Sequence, residues 1–212
     1  MSAPRVVLVD SGGSNLSSVQ AALARLGVNA PVSADWSIIQ SASHVILPGV
    51  GAANTAMQRL QAHDLVRRLP ALTQPVLGVC VGVQLLFASS EEAGTDASPT
   101  RCLGVIDAPV QKLKASPGLR IPHMGWNQIH FTDAYQSASA SGAALLEGLD
   151  GAYAYFVHSF AAPIGDYTLA SCTHGTAFSA VVAAGNFYGA QFHPERSQAA
   201  GARLLQNFLA LN

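Results

Sequence analysis

Short apolar runs alternate with amphipathic stretches along the first half of the chain. Residues 6–9, 44–47 and 76–79 have the length and the aliphatic content of buried strands. Residues 15–26 place leucine and valine on one face at helical spacing, and Gly27 follows where a helix would end. This alternation predicts an α/β fold with a central, mostly parallel sheet, flanking helices and right-handed crossovers.

The second half of the chain has a different pattern, in which apolar segments are separated only by short turns. Six segments predict strands: 105–113, 128–131, 153–160, 167–174, 178–183 and 187–192. Short connections favour antiparallel additions to the sheet. We further predict helices over 60–72 and 197–211 and loops over 91–100 and 133–142. No internal repeat or linker is visible, so residues 1–212 are predicted to form one domain.

Composition narrows the class of protein. Hydrophobic residues make up 50% of the chain and charged residues 11%, against about 25% charged in an average domain. A large core and a partner-covered surface would both account for this. The net charge of -1 and the lack of a basic tract give no indication of nucleic acid or of an anionic membrane. No apolar run approaches the ~20 residues of a membrane span, and the first five residues do not resemble a signal peptide.

The three cysteines are too few and too scattered for a disulfide framework. Cys80, Cys102 and Cys172 form an odd set, which favours a reducing cytoplasm. His174 lies two residues from Cys172, but no second ligand pair lies nearby, so no metal site is predicted.

Gly78-Val79-Cys80-Val81-Gly82 is a thiol version of the G-x-S-x-G nucleophile elbow. An apolar strand precedes it and a predicted helix over 83–87 follows, so Cys80 would stand at a sharp strand-to-helix turn. The glycines would let strand and helix pass closely, the helix N-terminus would favour the thiolate, and the Val81 amide would face an oxyanion. A buried structural cysteine in an ordinary turn is the alternative interpretation.

His193-Pro194-Glu195 supplies the groups that a nucleophilic thiol requires. The segment follows a predicted strand, and residues two apart in an extended segment point the same way. His193 would then take the proton of Cys80, and Glu195 would orient the imidazole ring. A histidine without function near a C-terminus is the alternative.

Together these two motifs resemble the triad-type class I glutamine amidotransferases. Further segments are similar to the glutaminase subunits of imidazole glycerol phosphate synthase: Pro48-Gly49-Val50-Gly51, Pro122-His123-Met124-Gly125-Trp126-Asn127, Tyr155-Phe156-Val157-His158-Ser159 and His193-Pro194-Glu195-Arg196-Ser197. The resemblance implies L-glutamine as substrate, Cys80 as nucleophile, His193 as general base and acid, and Glu195 as the orienting carboxylate. It also implies a synthase (cyclase) partner subunit and no cofactor.

The resemblance also implies residues of the substrate site and of a partner interface. Gln84 matches a residue that holds the substrate, His158 and Ser159 match a segment near the glutamine backbone, and Gly49-Val50-Gly51 matches a loop that supplies a second oxyanion N–H. Each has an alternative interpretation without function. Gln84 would be an exposed helix glutamine, His158 a buried strand histidine, and Gly49-Val50-Gly51 a plain turn at the end of a strand.

Met124 and Trp126 match the face that docks on the synthase, although such residues are often part of a core. The chain departs from the family pattern at Ser11, where tyrosine is usual, at Ser14, where glycine is usual, and at Arg196, where lysine is usual.

Three other functions stay open from the sequence. The chain could be the glutaminase of a pyridoxal phosphate or anthranilate synthase, against which 122–127 argues. It could be a catalytically silent interaction module, against which the complete Cys-His-Glu set argues. A cysteine protease or related hydrolase lacks supporting motifs.

Overall fold

The computed structural model describes residues 4–12, 15–93 and 98–212. The strands are β1 (Val6–Val9), β2 (Val32–Ser33), β3 (His44–Gly49), β4 (Val76–Cys80), β5 (Phe87–Ala93), β6 (Pro99–Arg101), β7 (Ile106–Lys112), β8 (His123–Gln128), β9 (His130–Phe131), β10 (Tyr153–His158), β11 (Phe160–Ala161), β12 (Thr168–His174), β13 (Thr176–Ala184) and β14 (Phe187–Ala190). The helices are α1 (Leu16–Arg25), α2 (Trp36–Ser41), α3 (Ala53–Ala62), α4 (Val81–Gln84), α5 (Asp133–Gln136), α6 (Ala140–Leu145) and α7 (Gln198–Leu209), and short 3₁₀ turns form at Leu69–Ala71 and Pro194–Arg196.

Eight strands form the main sheet, in the order β2-β1-β3-β4-β14-β13-β12-β9. The first five run parallel to their neighbours, and β13, β12 and β9 are added antiparallel. Strands β1, β3, β4 and β14 are buried at every position. Strands of this kind need cover on both faces, as the continuous apolar runs indicate. The predicted α/β class and the antiparallel additions are therefore confirmed.

Two smaller sheets accompany the main one. Strands β11-β7-β5-β6 form a four-stranded sheet, and β8 pairs with β10 in an antiparallel ribbon. Strand β8 was not predicted, because its sequence combines glycine, histidine and asparagine with two large apolar side chains.

Helix α1 agrees with its prediction, including its end. Gly27 has a φ of 77°, and its amide and that of Val28 donate to the carbonyls of Ala24 and Leu23. This is the hydrogen-bond pattern of a helix closed by a left-handed glycine. Helix α7 likewise confirms the terminal helix, with Leu204, Leu205 and Phe208 buried.

Four element predictions were wrong. The helix over 60–72 is instead α3, which ends at Ala62, followed by turns and the 3₁₀ segment, because Pro70 and the left-handed Asp64 interrupt the pattern. The elbow helix α4 has only four residues, and Phe87 already begins β5. Within 91–100, residues 91–93 belong to β5 and 99–100 to β6, while 94–97 lie outside the described residues. The loop over 133–142 contains α5 and the first turn of α6, whose Ser139 hydroxyl caps the Gly142 amide.

None of the helices in the described ranges is long and apolar enough to cross a membrane.

Candidate active site

Cys80 stands at the strained corner between β4 and α4. Its φ of 54° and ψ of -114° lie outside the regions that residues with a side chain ordinarily adopt. Such strain persists where the surrounding packing fixes the backbone, and it is frequent at functional sites. Gly82 provides that packing, because a Cβ there would lie 1.8 Å from the Leu47 carbonyl oxygen. At Gly78 an added Cβ would lie 2.7 Å from the Gly82 carbonyl oxygen, so strand and helix do pass as closely as the motif predicts.

Three adjacent parallel strands bring the site together at their carboxyl ends. Gly49 at the end of β3 pairs with Cys80 at the end of β4, and Ala190 of β14 pairs with Val79. The chain then leads from β14 to His193. Loops at this edge of a parallel sheet form the usual ligand crevice in α/β proteins.

Cys80, His193 and Glu195 come together at this edge of the sheet. His193 Nδ1 lies 2.8 Å from Glu195 Oε1, which leaves the other ring nitrogen for the thiol. The Cys80 thiol lies 3.9 Å from the Val157 carbonyl oxygen and lines the same pocket as His193. The expected extended geometry of the segment was wrong, since Pro194–Arg196 forms a 3₁₀ turn. That turn nevertheless brings the carboxylate back to the ring.

The electrostatics favour a charged imidazole. Burial alone would lower the pKa of His193, but hydrogen bonds and charge interactions with Cys80 and Glu195 raise it to about 10. Burial would raise the pKa of Glu195, yet the hydrogen bond and charge of His193 and a hydrogen bond from Asn15 hold it below its ordinary value. A charged imidazole held by a carboxylate is the usual partner of a nucleophilic thiol.

Asn15 is a residue of this site that sequence reasoning missed. Its Nδ2 donates to Glu195 Oε1 at 2.6 Å and lies 3.4 Å from His193 Nδ1. Asn15 precedes α1, so the contact joins residues 180 positions apart in sequence. The available signal was its place in the family pattern after the first strand.

A pocket of about 350 Å³ opens beside Cys80, within the size range of small-molecule sites. The predicted residues that line it are Val50, Gly51, Cys80, Val81, Gln84, His158, Ser159 and His193, and Glu92, Pro122, Val157 and Phe160 line it as well. Gly49 does not line it. This glycine is packed against α4 instead, where an added Cβ would lie 2.6 Å from the Gly82 amide nitrogen.

Gln84 is buried and not the exposed helix residue of the alternative interpretation. Its Nε2 donates to the Phe160 carbonyl at 2.8 Å and to Gln191 Oε1 at 3.0 Å. Both hydrogens of the amide are thereby used, and Oε1 is left as its acceptor. Glu92, which was not predicted, accepts the Ala53 amide at 2.6 Å and so ties β5 to the start of α3.

Met124 and Trp126 lie on the surface and not in the core. Their exposed fractions are 64% and 46%, and Tyr153 on the paired strand is 57% exposed. Trp126 is paired with Tyr155, whose ring lies 5.8 Å from the indole, centroid to centroid. We call Met124, Trp126, Tyr153 and Tyr155 the β8–β10 face. Large exposed apolar side chains grouped in this way are typical of an interaction surface.

The departures from the family pattern fall in different surroundings. Ser11 is buried, and its hydroxyl donates to the Pro48 carbonyl at 2.6 Å, directly before the Gly49-Val50-Gly51 loop. Arg196 is exposed, with its guanidinium 5.9 Å from the centre of the Tyr155 ring. Ser14 lies outside the described residues.

In the ranges that the structure covers, no group of three histidine, cysteine or acidic residues has the arrangement of a metal site.

Comparison with known proteins defines the class first. The family model "Glutamine amidotransferase class-I" matches residues 7–211. A crystal structure of a glutamine amidotransferase superposes with a TM-score of 0.69 over 96% of each chain at 19% identity, which supports the fold. The chain therefore belongs to the class I glutamine amidotransferases.

Relatives of higher identity specify the branch. The imidazole glycerol phosphate synthase subunit HisH of Shewanella loihica is 46% identical over all of this chain and 93% of its own length. The same subunit of Vibrio cholerae is 47% identical over 97% of this chain and 98% of its own. Proteins named as this synthase subunit are therefore similar to the chain over nearly its whole length.

Proposed function

We propose that this chain hydrolyses L-glutamine to glutamate and ammonia through a thioester on Cys80, and passes the ammonia to a synthase subunit. The observation that carries the proposal is the Cys80–His193–Glu195 set beside a pocket that also contains Gln84. The match over residues 7–211 supports treating the chain as one amidotransferase domain.

In the first half of the reaction, the Cys80 thiolate attacks the side-chain amide carbon of glutamine. As the tetrahedral intermediate collapses, the C–N bond breaks and His193 gives its proton to the nitrogen, which leaves as ammonia. Glu195 stabilises the imidazolium and keeps its ring oriented, and it does not itself transfer the proton.

In the second half, water attacks the thioester carbon while His193 accepts one of its protons. The C–S bond then breaks, glutamate is released, and the thiolate and imidazolium are restored. The Val81 amide is the first donor to the oxyanion of both tetrahedral intermediates, and a donor from the Gly49-Val50-Gly51 loop is the second.

The ammonia is used by the partner. We propose a heterodimer with a cyclase subunit, a lyase in its overall reaction, that makes imidazole glycerol phosphate and aminoimidazole carboxamide ribotide in the cytoplasm. The names of the relatives support the partner, and three free cysteines support a reducing compartment. The β8–β10 face, with Met124 and Trp126 exposed, is the proposed docking surface.

The division of labour is tested with Cys80→Ala in complex with the native synthase. We expect glutamine-dependent synthesis to be abolished and synthesis from added ammonium salts to be retained, because the thiol serves only to release ammonia. Equal loss of both activities would contradict the proposal.

The docking surface is tested with Trp126→Ala, with Ile38→Ala as matched control, since Ile38 is 44% exposed on α2. We expect Trp126→Ala alone to reduce partner-stimulated glutaminase, with basal activity unchanged. An equal effect of both substitutions would exclude a special role for this face.

A further inference from the structure

Two buried histidines meet beside the pocket, and the proposed reaction uses neither of them for proton transfer. Strands β8 and β10 pair His123 directly with His158. His123 Nδ1 consequently lies 3.1 Å from His158 Nε2. His158 lines the pocket and His123 does not.

One end of this contact has a fixed direction. His158 Nδ1 lies 3.0 Å from the Phe160 carbonyl oxygen, which can only accept a hydrogen bond. His158 therefore carries its proton on Nδ1, and its Nε2 is an acceptor.

The hydrogen bond between Asn127 and His123 also has a fixed direction. Asn127 Oδ1 accepts the Gln128 amide at 2.9 Å, and Asn127 Nδ2 donates to the Thr173 carbonyl at 2.9 Å. The orientation of the amide is thereby set, and Nδ2 lies 3.3 Å from His123 Nε2, which must accept. His123 consequently carries its proton on Nδ1 and donates it to His158.

Both rings are neutral at ordinary pH. Burial is the main cause that lowers the pKa of His158 to about 3, and burial together with the nearby His174 lowers the pKa of His123 to about 4. A series of hydrogen bonds, all in one direction, thus runs from Asn127 through His123 and His158 to the Phe160 carbonyl.

This series of hydrogen bonds ends on Phe160, whose carbonyl also orients Gln84. The Phe160 carbonyl accepts from His158 Nδ1 and also from Gln84 Nε2 at 2.8 Å, so both of its lone pairs are used. A displaced Phe160 carbonyl would remove one of the two acceptors of the Gln84 amide and leave that amide held by Gln191 Oε1 alone.

The series of hydrogen bonds begins at Asn127 on β8, a strand that also contributes to the β8–β10 face. Successive side chains of a strand point to opposite sides, so Met124 and Trp126 share one side of β8 while His123 and Asn127 share the other. Strand β8 thus carries the proposed docking surface on one side and the donors of these hydrogen bonds on the other.

We propose that His123 and Asn127 are positioning residues: their directed hydrogen bonds hold the His158 ring and the Phe160 carbonyl, and so hold Gln84 in its glutamine-binding orientation. The identity of the ligand rests on the proposed function. The direction of the hydrogen bonds does not, and it is measured separately.

The direction is tested by ¹⁵N NMR of the histidine rings in the full chain. We expect the Nδ1–H tautomer for His123 and His158. His174 and His44 are internal controls, since their Nε2 atoms lie 2.8 Å and 3.0 Å from the carbonyls of Arg120 and Leu211 and require the Nε2–H tautomer. An Nε2–H tautomer at His123 or His158 would overturn the proposal, whatever the activity of the enzyme.

The consequence for the pocket is tested with His123→Phe, which retains a ring to stack on Phe156 and His174 but removes both hydrogen bonds. In the complex with the synthase we expect KM for L-glutamine to rise about 3- to 10-fold, the value of one net hydrogen bond, and kcat to change by less than about twofold. The rate of Cys80 alkylation should stay the same.

His44→Phe is the matched control, because His44 is also buried, also hydrogen-bonded and also in contact with an aromatic ring, that of Phe208. We expect no change in KM for it. Asn127→Asp is the second variant: it keeps the acceptor for the Gln128 amide but removes the donor to His123, so the His123 ring should leave the neutral Nδ1–H form. An unchanged KM in His123→Phe, an equal rise in His44→Phe, or an unchanged His123 ring in Asn127→Asp would each refute the positioning role.

Discussion

Gly82→Ala adds one methyl group at the tightest packing of the elbow, and its effect follows from the geometry. The new Cβ would lie 1.8 Å from the Leu47 carbonyl oxygen, whereas carbon and oxygen approach to about 3.3 Å in ordinary contacts. Strand β3 and helix α4 would therefore have to separate by roughly 1.5 Å. Overpacking of this kind costs about 1–3 kcal/mol, which lowers Tm by about 2–12 °C in a chain of this size.

The displacement also affects the chemistry. Leu47 lies just before the Gly49-Val50-Gly51 loop, and Val81, the proposed oxyanion donor, directly precedes Gly82. A misplacement of about 1 Å at a reacting centre can reduce turnover about 100-fold. We expect a loss of this size in glutaminase turnover of the complex, measured as glutamate release at saturating glutamine.

Gly142→Ala is the matched control. An added Cβ at Gly142 would lie 3.3 Å from Leu169 Cδ1, a contact that a shift of a few tenths of an ångström relieves, and alanine favours helix α6 by up to about 1 kcal/mol. We expect unchanged activity and an equal or higher Tm. If Gly82→Ala retained the Tm and the turnover of the unsubstituted chain, close packing at Gly82 would not be what fixes the elbow.

Three further predictions concern the triad. Cys80 should be alkylated before Cys102 and Cys172, since burial raises the pKa of both of those thiols to about 12; peptide mapping that finds either one labelled first would contradict the elbow. His193→Ala should reduce glutaminase turnover more than Glu195→Ala, because in the proposed reaction only the histidine transfers protons, and equal losses in folded variants would require other roles. The free energy of unfolding lost in Glu195→Gln should be largest from about pH 4.5 to 6.5. Because the pKa of Glu195 is lowered, the contribution of the ion pair disappears as the pH falls below that range, and because the pKa of His193 is raised, it disappears as the pH rises towards 10. A pH-independent difference between the variant and the unsubstituted chain in urea titrations would refute the ion pair.

The strands of the parallel half and the elbow could be predicted because their signals are local. A continuous apolar run such as Val6–Val9 has few alternatives to a buried strand, and glycines two residues on either side of Cys80 restrict the turn between strand and helix. Helix α1 also carried its own stop signal in Gly27.

Elements without such local signals were missed or misplaced. Strand β8 forms because its edge pairs with β10, although propensity disfavours Gly125 and Asn127 in a strand. The short α4 ends early because β5 joins β7 in a second sheet, and no periodicity in 83–93 indicates that partner.

The sequence by itself determined which reaction we propose, because a thiol at an elbow and a His-Pro-Glu segment supply the reacting groups of that proposal. Only the tertiary structure decided how those groups are held. Asn15 reaches Glu195 across the fold, and His123 meets His158 through the register of two strands whose nearest ends, Gln128 and Tyr153, are 25 positions apart in the chain. Such contacts join residues that are distant in sequence. They depend on how strands and helices pack and pair with one another, which no local sequence pattern specifies.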